Sequence, residues 1–271
     1  MLVTVDTGGT KTLVAAFERD GSVGEMIRFP TPAKTADYVT LLRETLQKNY
    51  GDKSVEMVVV GLPGIIRDGV AVWCNNLAWK NFDAQKALAG ILGDAPVAIE
   101  NDANLAGLAE TRIMEPTPCS SLYVTISTGI GTGVTTNGHI DLGLRHSEGG
   151  RALVEYNGDV REWESFASGK AIYNTYGKFA RDISSEKTWR EISDRISRGF
   201  LAVIPMIQPE VIIIGGSMGT HFEKFGPYLE EILTANLPPH IPCPRIISAE
   251  HPEEAVIYGC YYYALDLLAT E

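Results

Sequence analysis

Near its start the chain reads Leu2-Val3-Thr4-Val5-Asp6-Thr7-Gly8-Gly9-Thr10-Lys11, an apolar run that ends in an aspartate and two glycines. A related stretch, Leu122–Ile126 followed by Ser127-Thr128-Gly129-Ile130-Gly131-Thr132-Gly133, lies in the second half. In both cases the chain turns and resumes as another strand. Glycines let a backbone approach a ligand closely, and successive free N–H groups form a concavity for anions. The two turns therefore predict two similar domains that hold one polyphosphate between them, as in phosphoryl-transfer enzymes.

Length and charge limit the possible partners. The chain has 271 residues, which is enough for two domains, and its net charge of −11 argues against nucleic acid or anionic membranes as partners. No stretch reaches the roughly 18 apolar residues of a membrane span, and no basic targeting segment is present, so we expect a cytoplasmic protein. The four cysteines are scattered without a C-x-x-C pair, which favours reduced thiols over a cysteine-based metal site.

Hydrophobic patterning predicts strands and helices along the whole chain. The predicted strands cover 2–6, 12–17, 22–29, 55–60, 97–99, a hairpin at 121–136, 211–214 and 245–247. The predicted helices cover 36–49, about 83–92, 105–112, about 162–180, 187–207, 222–235 and 253–268, and residues 137–161 are expected to be irregular. Hairpins mixed with crossover helices indicate an α/β fold.

Two polar segments at strand ends are candidates for chemistry. Asp6 ends the first strand and is placed to orient Mg²⁺ through water, although D-x-G-G-T is also simply a tight hairpin turn. Asp102 follows the strand at 97–99 and opens a helix, where open α/β sheets place ligands. It is suited to accept a proton from a substrate hydroxyl, with Asn101 holding neighbouring hydroxyls. The alternative is helix capping by Asn101 or Asp102.

Three further features are weaker when each is considered alone. The turn at 127–133 and Gly215-Gly216-Ser217 after an apolar strand suit a nucleotide, but generic turns explain them equally well. Glu148 precedes two glycines, and Glu164 precedes Ala167-Ser168-Gly169. Carboxylates accept hydrogen bonds from vicinal sugar hydroxyls, yet most glutamates in such contexts are only solvated surface.

Taken in this order, the motifs resemble the ROK family of sugar kinases, which share the actin-like ATPase fold of the hexokinases. The segments that carry the resemblance are Asp6–Lys11, Gly61–Gly64, Asn76–Trp79, Glu100–Asn104, Ser127–Gly133, Glu148–Gly150, Glu164–Gly169 and Gly215–Ser217. The resemblance implies two actin-like (ribonuclease H-like) α/β domains with an active-site cleft between them. The smaller would cover 1–108, with a C-terminal helix at about 253–271 packed on it, and the larger would cover 109–252.

The resemblance also implies a role for each matching position. Asp102 would be the catalytic base. The sugar would be held by Gly64, Asn76, Asn101, Glu148 and Glu164. ATP would be bound by Asp6, Gly8, Gly9, Thr10, Lys11, Thr128, Gly129, Gly131, Gly215 and Gly216, with Asp6 meeting Mg²⁺ through water.

One departure concerns a structural zinc that most members carry on a histidine and a C-x-C-G-x-x-G-C stretch. Arg151 stands at the histidine position, and the cysteine stretch is replaced by the cysteine-free segment Tyr156–Trp163. We therefore expect no structural zinc. Trp163 is a candidate to fill the space by packing, and Arg151 is a candidate to pair with Glu148 or Glu162.

The leading hypothesis is ATP-dependent phosphorylation of a hexose or N-acetylhexosamine, glucokinase-like and at the 6-position, by a homodimer in carbohydrate metabolism. One alternative is a polyphosphate-dependent glucokinase, although the basic residues are few and dispersed. Another is a catalytically inactive protein that binds or senses sugar. A kinase for a non-sugar substrate of the same fold is disfavoured by the two glutamates at the sugar positions.

Overall fold

A computed structural model of the chain describes residues 1–269, with only the backbone of Asn75 included. The strands are β1 Leu2–Thr7, β2 Lys11–Phe17, β3 Ile27–Pro30, β4 Met57–Leu62, β5 Ile65–Arg67, β6 Val70–Cys74, β7 Trp79–Asp83, β8 Val97–Asn101, β9 Ser120–Ile126, β10 Ile130–Thr136, β11 His139–Ile140, β12 Leu153–Tyr156, β13 Asp159–Glu162, β14 Val211–Gly215 and β15 Arg245–Ser248. The helices are α1 Thr35–Tyr50, α2 Ala84–Leu88, α3 Asp102–Arg112, α4 Glu164–Ala167, α5 Gly169–Tyr176, α6 Glu186–Ile207, α7 Gly216–Gly219, α8 Phe222–Asn236 and α9 Ala255–Ala269.

The chain divides into two compact units. The first comprises Met1–Ala109 together with the chain from Glu254 onward, and the second comprises Glu110–Glu253. The predicted C-terminal helix corresponds to α9, and residues 270 and 271 of that prediction lie outside the described residues. None of the helices within residues 1–269 is both long enough and apolar enough to cross a bilayer.

The first unit is built on a sheet with the strand order β3-β2-β1-β4-β8. β1, β4 and β8 are parallel, whereas β2 and β3 run antiparallel to their neighbours. Successive side chains of a strand point to opposite faces. Val3 and Val5 accordingly join the core under α1, and Leu2 joins the core under α9. A second, antiparallel sheet of β5, β6 and β7 completes this unit.

The second unit repeats the same pattern in its main sheet, with the order β11-β10-β9-β14-β15. β9, β14 and β15 are parallel, and β10 and β11 are antiparallel. Its core contains the inward-facing residues of β9 and β14 together with buried residues of α6 and α8. The two glycine turns of the sequence therefore stand at equivalent positions, each joining the first two strands of a five-stranded sheet.

The predicted irregular stretch at 137–161 is wrong in part. It contains β11, a 3₁₀ turn at Gly149–Arg151 and an antiparallel hairpin of β12 and β13. Asn157 and Gly158 form the turn, with φ of 58° and 86°. Asn-Gly at two positive φ values matches the twist of a hairpin, so this dipeptide indicates a β-hairpin at 153–162. The meander β5–β7 was also not predicted.

The predicted helix at 162–180 is interrupted. α4 ends at Ala167 because Ser168 is extended, with φ −68° and ψ 158°, and its Oγ accepts a hydrogen bond of 3.3 Å from the N–H of Ala171 to begin α5. The predicted helix at 83–92 shortens to α2, and the predicted strand at 22–29 shortens to β3. The other elements agree with the predictions to within a few residues.

Ring stacking and arginine packing hold the β12–β13 hairpin against α4 and α6. The rings of Tyr156 and Phe166 are stacked with centroids 4.4 Å apart. Arg161 lies 5.2 Å from the Tyr156 centroid and Arg195 lies 5.3 Å from it. Trp163 follows the hairpin and is fully buried. The expected role of Trp163 as a packing residue is thus what the structure shows.

Replacement of Trp163 tests this packing. The indole lies edge-on to Phe200 with centroids 5.1 Å apart and directly over Gly199, and its Nε1 has no hydrogen-bond partner within residues 1–269. We expect Trp163→Ala to lower the free energy of unfolding by about 3–5 kcal/mol through loss of buried surface and a residual cavity. Trp163→Phe should cost clearly less, because it keeps a ring and breaks no hydrogen bond. Urea unfolding followed by circular dichroism measures both.

The control is Phe179→Ala, since Phe179 is 52% exposed in the same unit. It should change the free energy of unfolding by less than about 1 kcal/mol. Equal losses in Trp163→Ala and the control would contradict the packing role.

Candidate active site

The turn between β1 and β2 is braced by hydrogen bonds that leave its tip accessible. The N–H of Gly8 donates to the carbonyl of Lys11 at 2.9 Å. Thr31 closes the other side, with its hydroxyl donating to the Gly8 carbonyl at 2.8 Å and its N–H donating to the Thr10 carbonyl at 3.1 Å. Gly9 and Thr10 remain exposed. Two adjacent exposed residues on a rigid turn suit an anionic ligand. No sequence signal pointed to Thr31.

Asp6 carries a perturbed carboxyl group next to this turn. It is partly buried at the end of β1, and burial raises its pKa to about 7, against the opposing effect of Lys11. A divalent cation would stabilise the ionised form of such a carboxylate. Asp6 therefore fits a role in holding Mg²⁺, directly or through water.

Asp102 and Asn101 meet at the carboxyl end of β8. The Asn101 Oδ1 accepts a hydrogen bond from the N–H of Asn104 at 3.0 Å, and the Asn101 Nδ2 donates to the carbonyl of Gly64 at 2.8 Å. The capping alternative therefore holds for Asn101, which also fixes the loop after β4. Asp102 is the partly exposed first residue of α3, and its Oδ1 accepts from the N–H of Ala103 at 2.8 Å.

Glu100 holds the backbone of Asn101 in place, next to Asp102. It was not assigned a role from the sequence. It is only 2% exposed, and its Oε1 accepts from the N–H of Asn101 at 2.8 Å and from the Nδ2 of Asn104 at 3.0 Å. Strand register places it level with Gly61 of β4, which is itself level with Asp6 of β1. Glu100 thus orders the backbone that presents Asp102.

The remaining predicted residues of the first unit lie at the same edge of the sheet. Asn76 is exposed on the 3₁₀ turn after β6. Its Cβ lies close to Gly9, since a Cβ built on that glycine would be 3.1 Å away. The first unit therefore brings together Asp6, the glycine turn, Gly64, Asn76, Asn101 and Asp102.

In the second unit, Glu164 contacts the turn between β9 and β10. Its Oε2 accepts a hydrogen bond of 2.8 Å from the N–H of Ile130. This contact requires a glycine at position 129, because a Cβ there would overlap the Glu164 carboxylate. Thr128 is exposed at the tip of the turn. The sequence did not predict that a sugar-site candidate and a nucleotide-site candidate would be in direct contact.

Glu148 and Glu164 share one arginine. The Nη2 of Arg151 lies 3.4 Å from Glu164 Oε1, and its Nη1 lies 2.6 Å from Glu162 Oε2. Burial raises the pKa of Glu148, an effect that Arg151 opposes and Glu164 reinforces. Of the two partners expected for Arg151, Glu162 is in direct contact.

Gly215 and Gly216 lie beside the same turn. Gly215 ends β14, which pairs with β9, and Gly216 follows it. A Cβ on Gly216 would come within 2.7 Å of the Ile126 carbonyl. Gly131 is the second residue of β10 and pairs with Thr125. The second unit therefore brings together Thr128, Gly129, Gly131, Glu148, Glu164, Gly215 and Gly216.

The sequence pattern of the ROK family matches residues 2–266, nearly the whole chain. The chain belongs to the ROK family. The expected family resemblance is therefore confirmed.

Three proteins that this ROK chain resembles are named kinases, and each is matched over nearly its whole length. The N-acetylmannosamine kinase of Haemophilus influenzae (strain PittGG) is 27% identical, with 98% of this chain and 96% of the relative covered. The ROK family glucokinase of Streptomyces griseus, solved in complex with glucose and AMPPNP, superposes with a TM-score of 0.81 at 20% identity, covering 98% of this chain and 99% of that one. The inorganic polyphosphate/ATP-glucomannokinase of Arthrobacter sp. strain KM gives 0.72 at 28% identity, with 98% of each chain covered. The predicted α/β fold with two actin-like domains is confirmed.

The zinc prediction concerns the region around Arg151 and the β12–β13 hairpin. Within residues 1–269, no group of three or more His, Cys, Asp and Glu side chains is arranged to hold a metal ion. The absence of a structural zinc stays a prediction.

The raised pKa of Asp6 gives a prediction about stability. An acid whose pKa rises on folding binds more protons in the folded state, so its contribution to the free energy of unfolding is present at about pH 4 and is lost as pH rises through about 7. Asp6→Asn removes this dependence. Without Mg²⁺ and nucleotide, we expect the melting temperature of Asp6→Asn relative to the parent protein to increase from pH 5 to about pH 7 and then to level off, because above that pH the Asp6 carboxyl group is ionised in both the folded and the unfolded protein.

The matched control for this experiment is Asp52→Asn, since Asp52 is exposed in the same unit. Its difference from the parent protein should stay constant over the same pH range. A constant difference for Asp6→Asn as well would mean that the Asp6 carboxyl group is not perturbed.

Proposed function

We propose that this ROK protein is an ATP-dependent sugar kinase that phosphorylates a hydroxyl of a hexose or N-acetylhexosamine. The observation that carries the proposal lies within the first unit. There the partly exposed carboxylate of Asp102 and the exposed tip of the Gly8–Thr10 turn stand at the same edge of one sheet. A base for a hydroxyl proton and a cradle for a phosphate are the two elements that phosphoryl transfer to an alcohol requires.

Asp102 would accept the proton of the attacking hydroxyl. The sugar oxygen bonds to the γ-phosphorus, the bond from that phosphorus to the ADP oxygen breaks, and the hydroxyl proton passes to the Asp102 carboxylate. Position at the N-terminus of α3 favours the ionised form of Asp102. Its Oδ1 is already oriented by the N–H of Ala103. A sugar hydroxyl is a far weaker acid than a carboxyl group, so Asp102 acts by orientation and late proton capture.

We assign sugar-binding polar groups in each unit. Asn76 and the loop at Gly64 belong to the first unit, and Glu148 and Glu164 belong to the second. Carboxylates that accept hydrogen bonds from adjacent hydroxyls are well suited to sugars. These assignments are supported by family membership and by the contacts around each side chain. They make a non-sugar substrate the less favoured choice.

We also assign nucleotide-binding residues in each unit: the first glycine turn in one, and the second glycine turn with Gly215 and Gly216 in the other. Exposed backbone on both turns is available to donate hydrogen bonds to phosphate oxygens. Asp6 would hold Mg²⁺, which neutralises charge that develops on the transferring phosphoryl group. The Asp6 carboxylate, stabilised by that cation, would then stay ionised at neutral pH.

Replacement of the proposed base tests the mechanism. We expect Asp102→Asn to lower kcat at least ~10²-fold, because the amide cannot accept the hydroxyl proton. Affinity for sugar should be largely kept, since Asn retains the size and the hydrogen bond to Ala103. Steady-state kinetics and isothermal titration with sugar measure the two effects. Turnover close to that of the parent protein would remove Asp102 from this role.

The substrate is identified by an ADP-release assay with Mg-ATP over glucose, mannose, fructose, N-acetylglucosamine, N-acetylmannosamine and allose. We expect one of these sugars to be clearly preferred and to be phosphorylated at the 6-position, which mass spectrometry with isotopic labelling would locate. Sugar binding without turnover of any member of the panel would contradict the kinase and favour a sensing protein.

A polyphosphate donor is the second candidate. The observation in its favour is the 28% identity to the inorganic polyphosphate/ATP-glucomannokinase over 98% of the chain. Competition between Mg-ATP and polyphosphate for the same sugar distinguishes the donors. A homodimer in the cytoplasm remains our expectation, since symmetric dimers are the commonest oligomers.

A further inference from the structure

Arg151 links two carboxylates of the second unit, those of Glu162 and Glu164. It ends the 3₁₀ turn at Gly149–Arg151, and its side chain is 31% exposed. The two terminal nitrogens of its guanidinium contact different acids, Glu162 at 2.6 Å and Glu164 at 3.4 Å. A planar guanidinium has a fixed fork of donors, so engaging two carboxylates defines its orientation.

The contact with Glu164 continues to the glycine turn. One carboxylate oxygen of Glu164 faces Arg151, and the other accepts the N–H of Ile130 at 2.8 Å. Ile130 is the first residue of β10, directly after the exposed tip of the turn. Loss of the arginine would leave Glu164 free to rotate about its side-chain bonds, and the Ile130 N–H would lose a fixed acceptor.

The same arginine influences Glu148. The charged groups that act on Glu148 are Arg151, from the same turn, and Glu164 from α4, while Glu162 from β13 acts on Arg151. Burial and Glu164 both favour the protonated form of Glu148, and Arg151 favours the ionised form. Without the arginine, Glu148 would keep its partly buried environment and its acidic neighbour Glu164, both of which favour the protonated form.

We propose that Arg151 is a positioning residue for sugar binding: it orients Glu164 against the glycine turn. The role in sugar binding rests on the proposed function, whereas the orientation of Glu164 does not. Partly exposed ion pairs contribute little to overall stability, so the principal effect of Arg151 should be local. An arginine placed in this way couples the proposed sugar carboxylates to the proposed phosphate turn.

Amide hydrogen exchange at Ile130 tests the orientation of Glu164 without any need for turnover. We expect exchange at Ile130 to be at least about tenfold faster in Arg151→Gln than in the parent protein. Arg151→Lys keeps one donor and should lie between the two. Arg161→Gln is the matched control, because Arg161 lies in the β12–β13 hairpin next to Arg151 but packs on Tyr156 and Phe166. Unchanged exchange in Arg151→Gln, or equal acceleration in the control, would overturn the proposal.

The pH dependence of kcat/KM for the sugar tests the effect on Glu148. Removing a nearby positive charge raises the pKa of a carboxyl group, so the acid limb of the profile should move to higher pH in Arg151→Gln. Arg151→Lys keeps the charge and should retain the parent profile. We expect kcat at pH 8.5 to change much less than kcat/KM at pH 5.5.

The possible outcomes distinguish the orientation of Glu164 by Arg151 from the role of Arg151 in sugar binding. An acid limb that stays in place in Arg151→Gln would overturn the electrostatic role. If the parent protein phosphorylates no sugar, the proposed function fails, and the exchange rate at Ile130 still decides whether Arg151 positions Glu164.

Discussion

Parallel pairing of neighbouring strands is the constraint on which the candidate site depends. Because β1, β4 and β8 run in one direction, their carboxyl ends lie at a single edge, and the loops that follow them meet there. The same pairing of β9 with β14 brings the second glycine turn beside Gly216. Strand pairing alone therefore brings residues that are far apart in the chain next to each other. The loops need no separate contacts to bring them together.

Rigidity at these strand ends comes from satisfied backbone groups. Thr31 closes the first turn, Glu100 and Asn101 fix the start of α3, and Glu164 accepts the N–H that opens β10. A turn whose own hydrogen bonds are made internally keeps its exposed groups in one arrangement, which lowers the entropy lost when a ligand binds. Acidic and amide side chains accept these backbone N–H groups in both units. Several site residues therefore have a structural role as well as a proposed chemical one.

Charge is balanced differently in the two units. In the first, the partly buried Asp6 has one basic neighbour, Lys11, and its carboxyl group remains perturbed. In the second, Arg151 stands among three acids, and the hairpin beside it is held by stacked rings and two further arginines. The first arrangement is suited to a cation, and the second is suited to a neutral ligand with many hydroxyl groups.

The order of the strands and helices of the two five-stranded sheets, the two glycine turns and the position of Asp102 directly after a strand were determined by the sequence itself, because apolar periodicity and turn residues act locally. The interruption of the helix at Ser168, the hydrogen bond from Asn101 to Gly64 and the contact of Glu164 with Ile130 were decided only by the tertiary structure. Each depends on a partner distant in sequence or on a backbone conformation imposed by packing. The hairpin at Asn157-Gly158 lies between these cases, since its turn signal was present and its stability comes from rings and arginines supplied by α4 and α6.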